Sequence, residues 1–206
     1  MAKRLIVGIS GASGIVYGVR LLEALKGTGI ETHLIMTRSA ELTLAYEMTI
    51  KLRDVHALAA MVHRADDVGA AISSGSFKTM GMIVAPCSIR SLSEIAYGNT
   101  TGLLTRAADV VLKERRRLVL MVREAPLHVG HLRAMTQAAE AGAIILPPVP
   151  AMYALPRSVD DIVNHTVGRA LDLFDIDNDL VKRWGESADG GKPKRGAVRR
   201  KGETNP

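Results

Sequence analysis

A chain of 206 residues can bury one substantial core, and with aromatics at only 3% that core must rest on aliphatic side chains and methionine. The net charge of +6 would suit a nucleic-acid partner, but residues 187–206 carry six Lys/Arg against two acids, a net +4 that leaves only +2 for residues 1–186. That basic, Gly/Pro-containing end has no aromatic residue to stack a base and reads as a disordered, solvated tail, so neither nucleic acid nor membrane is expected as a partner. No apolar run approaches the roughly 18 residues of a membrane span, the first apolar run is too short and too early for a signal peptide, and the single Cys87 cannot close an internal disulfide. A cytoplasmic protein is expected.

Leu5–Ile9 is a continuous apolar run, which predicts a strand buried on both faces. The small residues Ser10-Gly11-Ala12-Ser13-Gly14 separate it from Ile15–Leu25, a helical pattern stopped by Gly27 and Gly29. Thr32–Met36 predicts the second strand, followed by a helix containing Leu42, Leu44, Ala45 and Met48. A helix near Val55–Val62 and a polar loop ending in SSGSFKT come next. Met82–Ala85 predicts the third strand, closed by Pro86. Ser88–Ala96 and Leu103–Arg115 predict helices joined by a Gly98–Gly102 turn, Leu118–Val122 a strand, Val129–Ala141 a helix and Ala143–Leu146 a last strand. The Pro-rich PPVPAMYALP precedes a final helix, Val159–Leu173. Alternation of this kind implies one parallel sheet covered by helices on both faces, a single α/β domain over residues 1–186.

Ligands of such sheets bind beyond the carboxyl ends of the strands. The turn at residues 10–14 lies there, with glycines that admit close approach, helix amides that attract anions and the hydroxyls of Ser10 and Ser13. A plain strand-to-helix connection with a serine cap would read the same way. The second strand ends in Thr37-Arg38-Ser39, where a dinucleotide site would place a carboxylate for the ribose. Hydroxyls and a cation suit a phosphate instead, so the turn is a mononucleotide candidate, with FMN the redox-active choice. Thr37 and Ser39 also fit a helix cap. A second small-polar turn, APCSIRSLSEIAYG, is built like the first: Pro86 ends a strand and Ser88 caps a helix. Two such turns at adjacent strand ends would frame one pocket. Cys87 reads as a buried structural thiol.

With these residues in view, the chain resembles the flavin prenyltransferase (UbiX-like) family. The resemblance rests on GISGASGIVYGVRLL, APCSIRSLSEIAYG, LLTRAADVVLKERRRLVLMVREAPLHVGHLRAM, GAIILPPVPAMY and VDDIVNHTVGRALD, in the family's order over about residues 3–186. SSGSFKT is similar to the branch of the family encoded beside hydroxyarylic-acid decarboxylases. The resemblance implies a Rossmann-like flavoprotein that joins a dimethylallyl group from dimethylallyl phosphate to N5 and then C6 of reduced FMN. It implies no metal and a homododecamer with sites between subunits. The product, prenylated FMN, would serve a partner UbiD-like decarboxylase. Carried over by position, Gly11, Ala12, Ser13, Thr37, Ser88, Ile89, Arg90, Ser91 and Arg123 would bind the flavin. Tyr153 and Arg169 would grip the donor's phosphate, with Arg106, Lys113 and Glu124 completing that site. Ser13 and Glu47 would stand near the reacting flavin edge. Many members carry a tryptophan before the third strand; residues 60–80 contain none, and Phe77 is the aromatic there.

Losing phosphate from an allylic carbon builds positive charge on carbon and negative charge on oxygen. Paired aspartates holding Mg²⁺ are one solution, but Asp66-Asp67 and Asp160-Asp161 lack partner pairs a turn away, and the second pair suits a helix cap. Fixed cations are the alternative: Arg106, Lys113, Arg123 and Arg169, with a hydrogen bond from Tyr153. Spacing alone favours Arg106, Lys113 and Arg169 as surface cations, a reading the resemblance reverses, and leaves Glu124 readable as an ion-pair partner and Glu47 as a solvated carboxylate. Forming the C6 bond requires a base, for which Glu47 and the departing phosphate both qualify. Asp175–Asp179 alternates acids like a calcium loop, but Leu180 stands where the loop glycine must turn. His128 and His131 suit capping and packing rather than metal. The competing functions are an FMN-dependent decarboxylase of the phosphopantothenoylcysteine type, whose catalytic histidine has no match here, and a non-catalytic flavin carrier.

Overall fold

The computed structural model describes residues 3–183; the basic tail expected at 187–206 lies outside them. Six strands, β1 (Arg4–Ile9), β2 (Glu31–Met36), β3 (Met61–His63), β4 (Gly81–Cys87), β5 (Arg117–Val122) and β6 (Ala143–Ile145), form one parallel sheet in the order β3-β2-β1-β4-β5-β6. The chain winds outward in one direction from β1 to β3, then returns to the centre to lay β4 on the other side of β1. The β1/β4 boundary is therefore the switch point, where a doubly wound sheet opens a crevice.

Alternation along the strands sorts the core into two layers. Leu5, Val7, Ile9, Leu34, Met36, Ile83, Ala85, Val119 and Met121 face one side. There they pack against α1 (Ile15–Leu25), α2 (Arg38–Glu47), α3 (Leu52–His56) and α7 (Val159–Asp172). Ile6, Ile35, Met82, Val84, Leu118, Leu120 and Val122 face the other. Their cover is α4 (Ile89–Ala96), α5 (Leu103–Lys113) and α6 (Val129–Glu140). Central strands buried on both faces need the continuous apolar runs that the sequence shows.

Three expectations change. The helix near Val55–Val62 is a single short helix, α3, followed by edge strand β3, in register with β2 from His33↔Met61 to Ile35↔His63. Met61 and Val62 are exposed, so no buried periodicity marks the strand; Ala60 N–H bonded to Thr32 Oγ1 at 3.0 Å leads the chain onto the edge. The polar loop before β4 contains a 3₁₀ turn, Ala71–Ser73, that buries Ile72. Strand β4 also passes through Pro86 to Cys87, its register with β5 shifting between Val84 and Cys87. That shift sends Cys87, with Val84, into the second layer.

Candidate functional site

The first two turns converge as their composition implies, and Ser10 is the tie. Its Oγ donates to Pro86 O at 2.8 Å and accepts from Ser88 N–H at 2.7 Å, while its own N–H reaches Pro86 O at 3.2 Å. The carboxyl ends of β1 and β4 are thus locked at the switch point by a side chain only 1% exposed. Beside them opens a cleft of about 350 Å³ lined by Gly11, Thr37, Arg38, Ser39, Ser88, Arg90 and Ser91, together with Glu94, Thr101 and Thr105.

Two helices begin at this cleft. Thr37 caps α2, its Oγ1 accepting from Ala40 N–H at 3.1 Å, and Ser88 caps α4, its Oγ accepting from Ser91 N–H at 3.2 Å. Helix starts present unsatisfied amides and the positive end of the dipole. With Arg38 and Arg90 at the rim and no carboxylate at the end of β2, the donor set fits the phosphate of a mononucleotide. Gly11 sits where the first turn crosses α2, and a Cβ there would overlap Ser39 Cβ. Residues 89–91 follow Ser88 directly, so Ile89, Arg90 and Ser91 stand on the first turn of α4. Glu94 is a wall residue inside the APCSIRSLSEIAYG stretch to which the sequence alone assigns no role. It accepts from Arg90 Nε at 2.9 Å and Thr101 Oγ1 at 2.7 Å, so it orients Arg90 at the cleft wall. The Arg90–Glu94 spacing of four was the available signal.

A second cluster lies at the start of α1. Glu47, from the last turn of α2, accepts the Gly14 and Ile15 amides at 2.8 and 3.0 Å, and the Ser13 side chain also bonds it. Gly14 takes φ 98°, the left-handed conformation that turns both amides toward the carboxylate. Burial pushes the Glu47 carboxyl up, but the Ser13 and amide bonds and the charge of Arg123 outweigh it, leaving the pKa below the ordinary value. Arg123, just past β5, hydrogen-bonds through its backbone N–H to Cys87 O at 3.1 Å, and its charge is felt by both Glu47 and Tyr17. Ser13, Glu47 and Arg123 therefore form one group at the carboxyl ends of the central strands. Glu124 follows Arg123 and accepts its neighbour's Ala125 N–H at 3.0 Å. Cys87 is fully buried and its thiol is pushed up to about 12, an inert structural thiol as expected.

The remaining cations are dispersed within one chain. Arg106 lies one turn into α5, near the cleft, bonded to Asp109 at 2.8 Å. Lys113 ends the same helix at the opposite, amino-terminal edge of the sheet, four residues before β5, and pairs with Glu114 at 2.6 Å. Tyr153 stands on a 3₁₀ turn, Met152–Ala154, after β6, and its hydroxyl is 3.2 Å from His165 Nε2 on α7. Arg169, one turn further along α7, bonds Asp172 at 2.8 Å and acts electrostatically on His165, so Tyr153 and Arg169 share one side of that helix. The structure thus brings together the flavin-turn residues and the Glu47 group, and Tyr153 with Arg169, but it does not bring Lys113 to either within a chain.

Three other motifs also find their places. Ser158 and Asp161 form a capping box on α7, while Asp160 pairs with Arg20 at 2.9 Å. His128 caps α6, its Nδ1 accepting from Gly130 N–H at 3.0 Å, with the His131 ring against it at a tilt of 35°. In the acidic loop, Asn178 bonds Gly168 O and Asp172, folding the segment onto α7.

A doubly wound sheet in the order β3-β2-β1-β4-β5-β6, with helix amides, hydroxyls and arginines around a cleft at its switch point, defines a Rossmann-like nucleotide-binding fold. Residues 1–171 match the family described as Flavoprotein. Flavin prenyltransferase UbiX of Escherichia coli (strain K12) is 63% identical over 185 residues, covering 88% of this chain and 98% of the relative. Among solved structures, AnUbiX (PadA1) in complex with FMN and dimethylallyl pyrophosphate superposes with a TM-score of 0.88 at 47% identity, over 89% of this chain and 98% of that one. The dodecameric FMN-dependent UbiX-like decarboxylase from Escherichia coli O157:H7 gives 0.86 at 49% identity, over 88% and 98%. The chain belongs to the UbiX flavin prenyltransferase family.

Proposed function

We propose that this chain transfers a dimethylallyl group from dimethylallyl phosphate to reduced FMN, at N5 and then C6, and that the prenylated FMN passes to a UbiD-like decarboxylase in the cytoplasm. The observation that carries the reading is the cleft of helix amides, hydroxyls and arginines at the switch point, beside the Ser13–Glu47–Arg123 group. The first holds a flavin mononucleotide, and the second offers a carboxylate and a cation beside it.

The flavin, when bound, supplies the nucleophilic N5 and, for ring closure, C6. The protein's part is electrostatic. The allylic C–O bond breaks with both electrons leaving on phosphate. Arginine and lysine side chains accept that charge in place of a divalent ion, each preorganised donor contributing about 3 kcal/mol to such a transition state. Arg123, Arg106 and Arg169 supply cations, and Tyr153 a hydroxyl donor. Within one chain Arg169 stands a turn before Leu173, whose carbonyl bonds Arg117 at the amino-terminal edge of the sheet, and Lys113 also ends its helix at that edge. We assign Lys113 to the site of a neighbouring copy in a homododecamer, a reading favoured by the dodecameric relative. Glu47, ionised at neutral pH because its hydrogen bonds outweigh its burial, is the side chain we assign to accept the C6 proton. The departing phosphate is the competing acceptor.

Anaerobic incubation of the purified protein with reduced FMN and dimethylallyl phosphate, followed by mass spectrometry of the released flavin, tests the reading. A flavin heavier by one prenyl unit is the expected product. Unchanged flavin would make the chain a carrier, and carbon dioxide released from an acid by this chain alone would make it a decarboxylase. Dimethylallyl pyrophosphate, the ligand in the AnUbiX (PadA1) complex, serves as the second donor in the same assay.

A further inference from the structure

We infer that His165 is a positioning residue for the prenyl-donor phosphate, acting through Tyr153. The inference rests on the proposed prenyl transfer and adds to it a residue that the family resemblance left without a role.

Tyr153 is poorly placed to hold a fixed direction by itself. It is 48% exposed and rides on a single 3₁₀ turn that ends at Leu155 in a left-handed conformation, φ 52°. His165 is the opposite: 9% exposed, in the middle of a helix of 14 residues, with buried Val163, Thr166 and Val167 around it in sequence. The two rings meet edge to face, with centroids 5.7 Å apart and an interplanar angle of 83°. The phenol oxygen lies 3.2 Å from Nε2. A helical core position facing this loop would accept leucine on packing grounds alone. An imidazole there adds one thing an aliphatic cannot, a hydrogen-bonding nitrogen at a defined place.

The direction of that hydrogen bond follows from what Tyr153 must do. To stabilise a phosphate oxygen the phenol must donate its proton to it, so the phenol oxygen accepts from His165 Nε2–H. Accepting that bond also polarises the phenolic O–H, making it a stronger donor. Burial, reinforced by the charge of Arg169 and opposed by Asp172, lowers the His165 pKa, so a neutral ring fills the role at neutral pH. Arg169 stands one turn beyond, at the i+4 position, so the hydroxyl and the guanidinium approach an anion from the same side of α7. His165 also lines a cavity of about 430 Å³ together with Ala151, Ala154, Asn164 and Lys182.

The test compares His165→Phe, which keeps an edge-to-face ring without the nitrogen, with His165→Gln, which keeps an N–H near the same point, alone and combined with Tyr153→Phe. Steady-state prenylation is measured with saturating reduced FMN and varied dimethylallyl phosphate. Tyr153→Phe and His165→Phe should each raise KM for the donor about tenfold, the effect of one hydrogen bond to a charged group, with kcat little changed. His165→Gln should recover most of the loss. In the Tyr153→Phe background His165→Phe should add nothing, because its only route to the phosphate has gone. If His165→Phe raises KM equally in both backgrounds, or if Phe and Gln fail alike, the inference is overturned. Failure of prenyl transfer itself would show as no prenylated flavin from the unaltered protein, before any variant is compared.

Discussion

Gly11 is held in place by what surrounds it. A Cβ at this position would overlap Ser39, so the smallest added side chain forces the first turn away from the start of α2. Gly11→Ala should therefore weaken FMN binding by at least about tenfold while leaving the two core layers intact, because the clash lies in the cleft rather than beneath it; titration of flavin absorbance measures it. Glu47 makes a second residue-scale prediction. Its folded pKa lies below the ordinary 4.5, so its bonds to the Gly14 and Ile15 amides contribute stability above the unfolded value and lose it as pH falls through the folded one. Glu47→Gln should be less stable than the parent at neutral pH, with the difference closing below about pH 4.5, read from urea midpoints across the acid range. The same variant should bind FMN and form product more slowly if Glu47 takes the C6 proton. Thr37 and Ser88 were legible as caps because capping is local, a side chain bonding an amide three residues on. Glu94 and His165 were not, because their roles depend on partners fixed by tertiary structure: Thr101 across a turn, and Tyr153 across a proline-rich loop.

At the scale of elements, the helix that Ser88 starts also supplies one wall of the cleft. Ser88→Ala removes the bond to Ser91 N–H and should cost about 1 kcal/mol of stability, measured by urea unfolding. It should also weaken FMN binding, since the α4 amides lose their fixed orientation. Ser158→Ala opens the capping box on α7 and should cost a similar amount of stability. It leaves the flavin cleft untouched, so FMN affinity should be unchanged. The central strands were readable because burial on both faces demands continuous Val, Ile and Leu. Edge strand β3 was not: a three-residue strand with exposed Met61 and Val62 carries no burial pattern, and its pairing is dictated by β2. The passage of β4 through Pro86 was hidden for a related reason. Proline breaks a regular ladder, and the structure accommodates it with a register shift that no local composition signals.

For the whole molecule, the distribution of charge along α5 carries the strongest consequence. Parallel strands force each covering helix to run back across the sheet, so α5 starts at the cleft and ends at the far edge. Arg106 and Lys113 share a helix but stand about 10 Å apart along it, Lys113 toward the far edge of the sheet. Their spacing of seven residues puts them on similar sides of one helix, but spacing cannot show which edge of the sheet each residue reaches. If Lys113 completes a neighbour's site, chemistry depends on assembly, and two impaired variants can rescue each other. Lys113→Ala and Glu47→Gln each remove a residue from every site of a pure oligomer. Co-expressed in equal amounts, they place an intact Lys113 from one chain beside an intact Glu47 from another at about a quarter of the sites of a symmetric assembly. Prenylation should return to about that fraction of the parent rate, and dilution into conditions that dissociate the oligomer should abolish it. Mixed oligomers no more active than either pure variant would place Lys113 and Glu47 in the same chain's site, or Lys113 outside the chemistry altogether. A protein carrying both substitutions in every chain provides the baseline against which the recovered fraction is read.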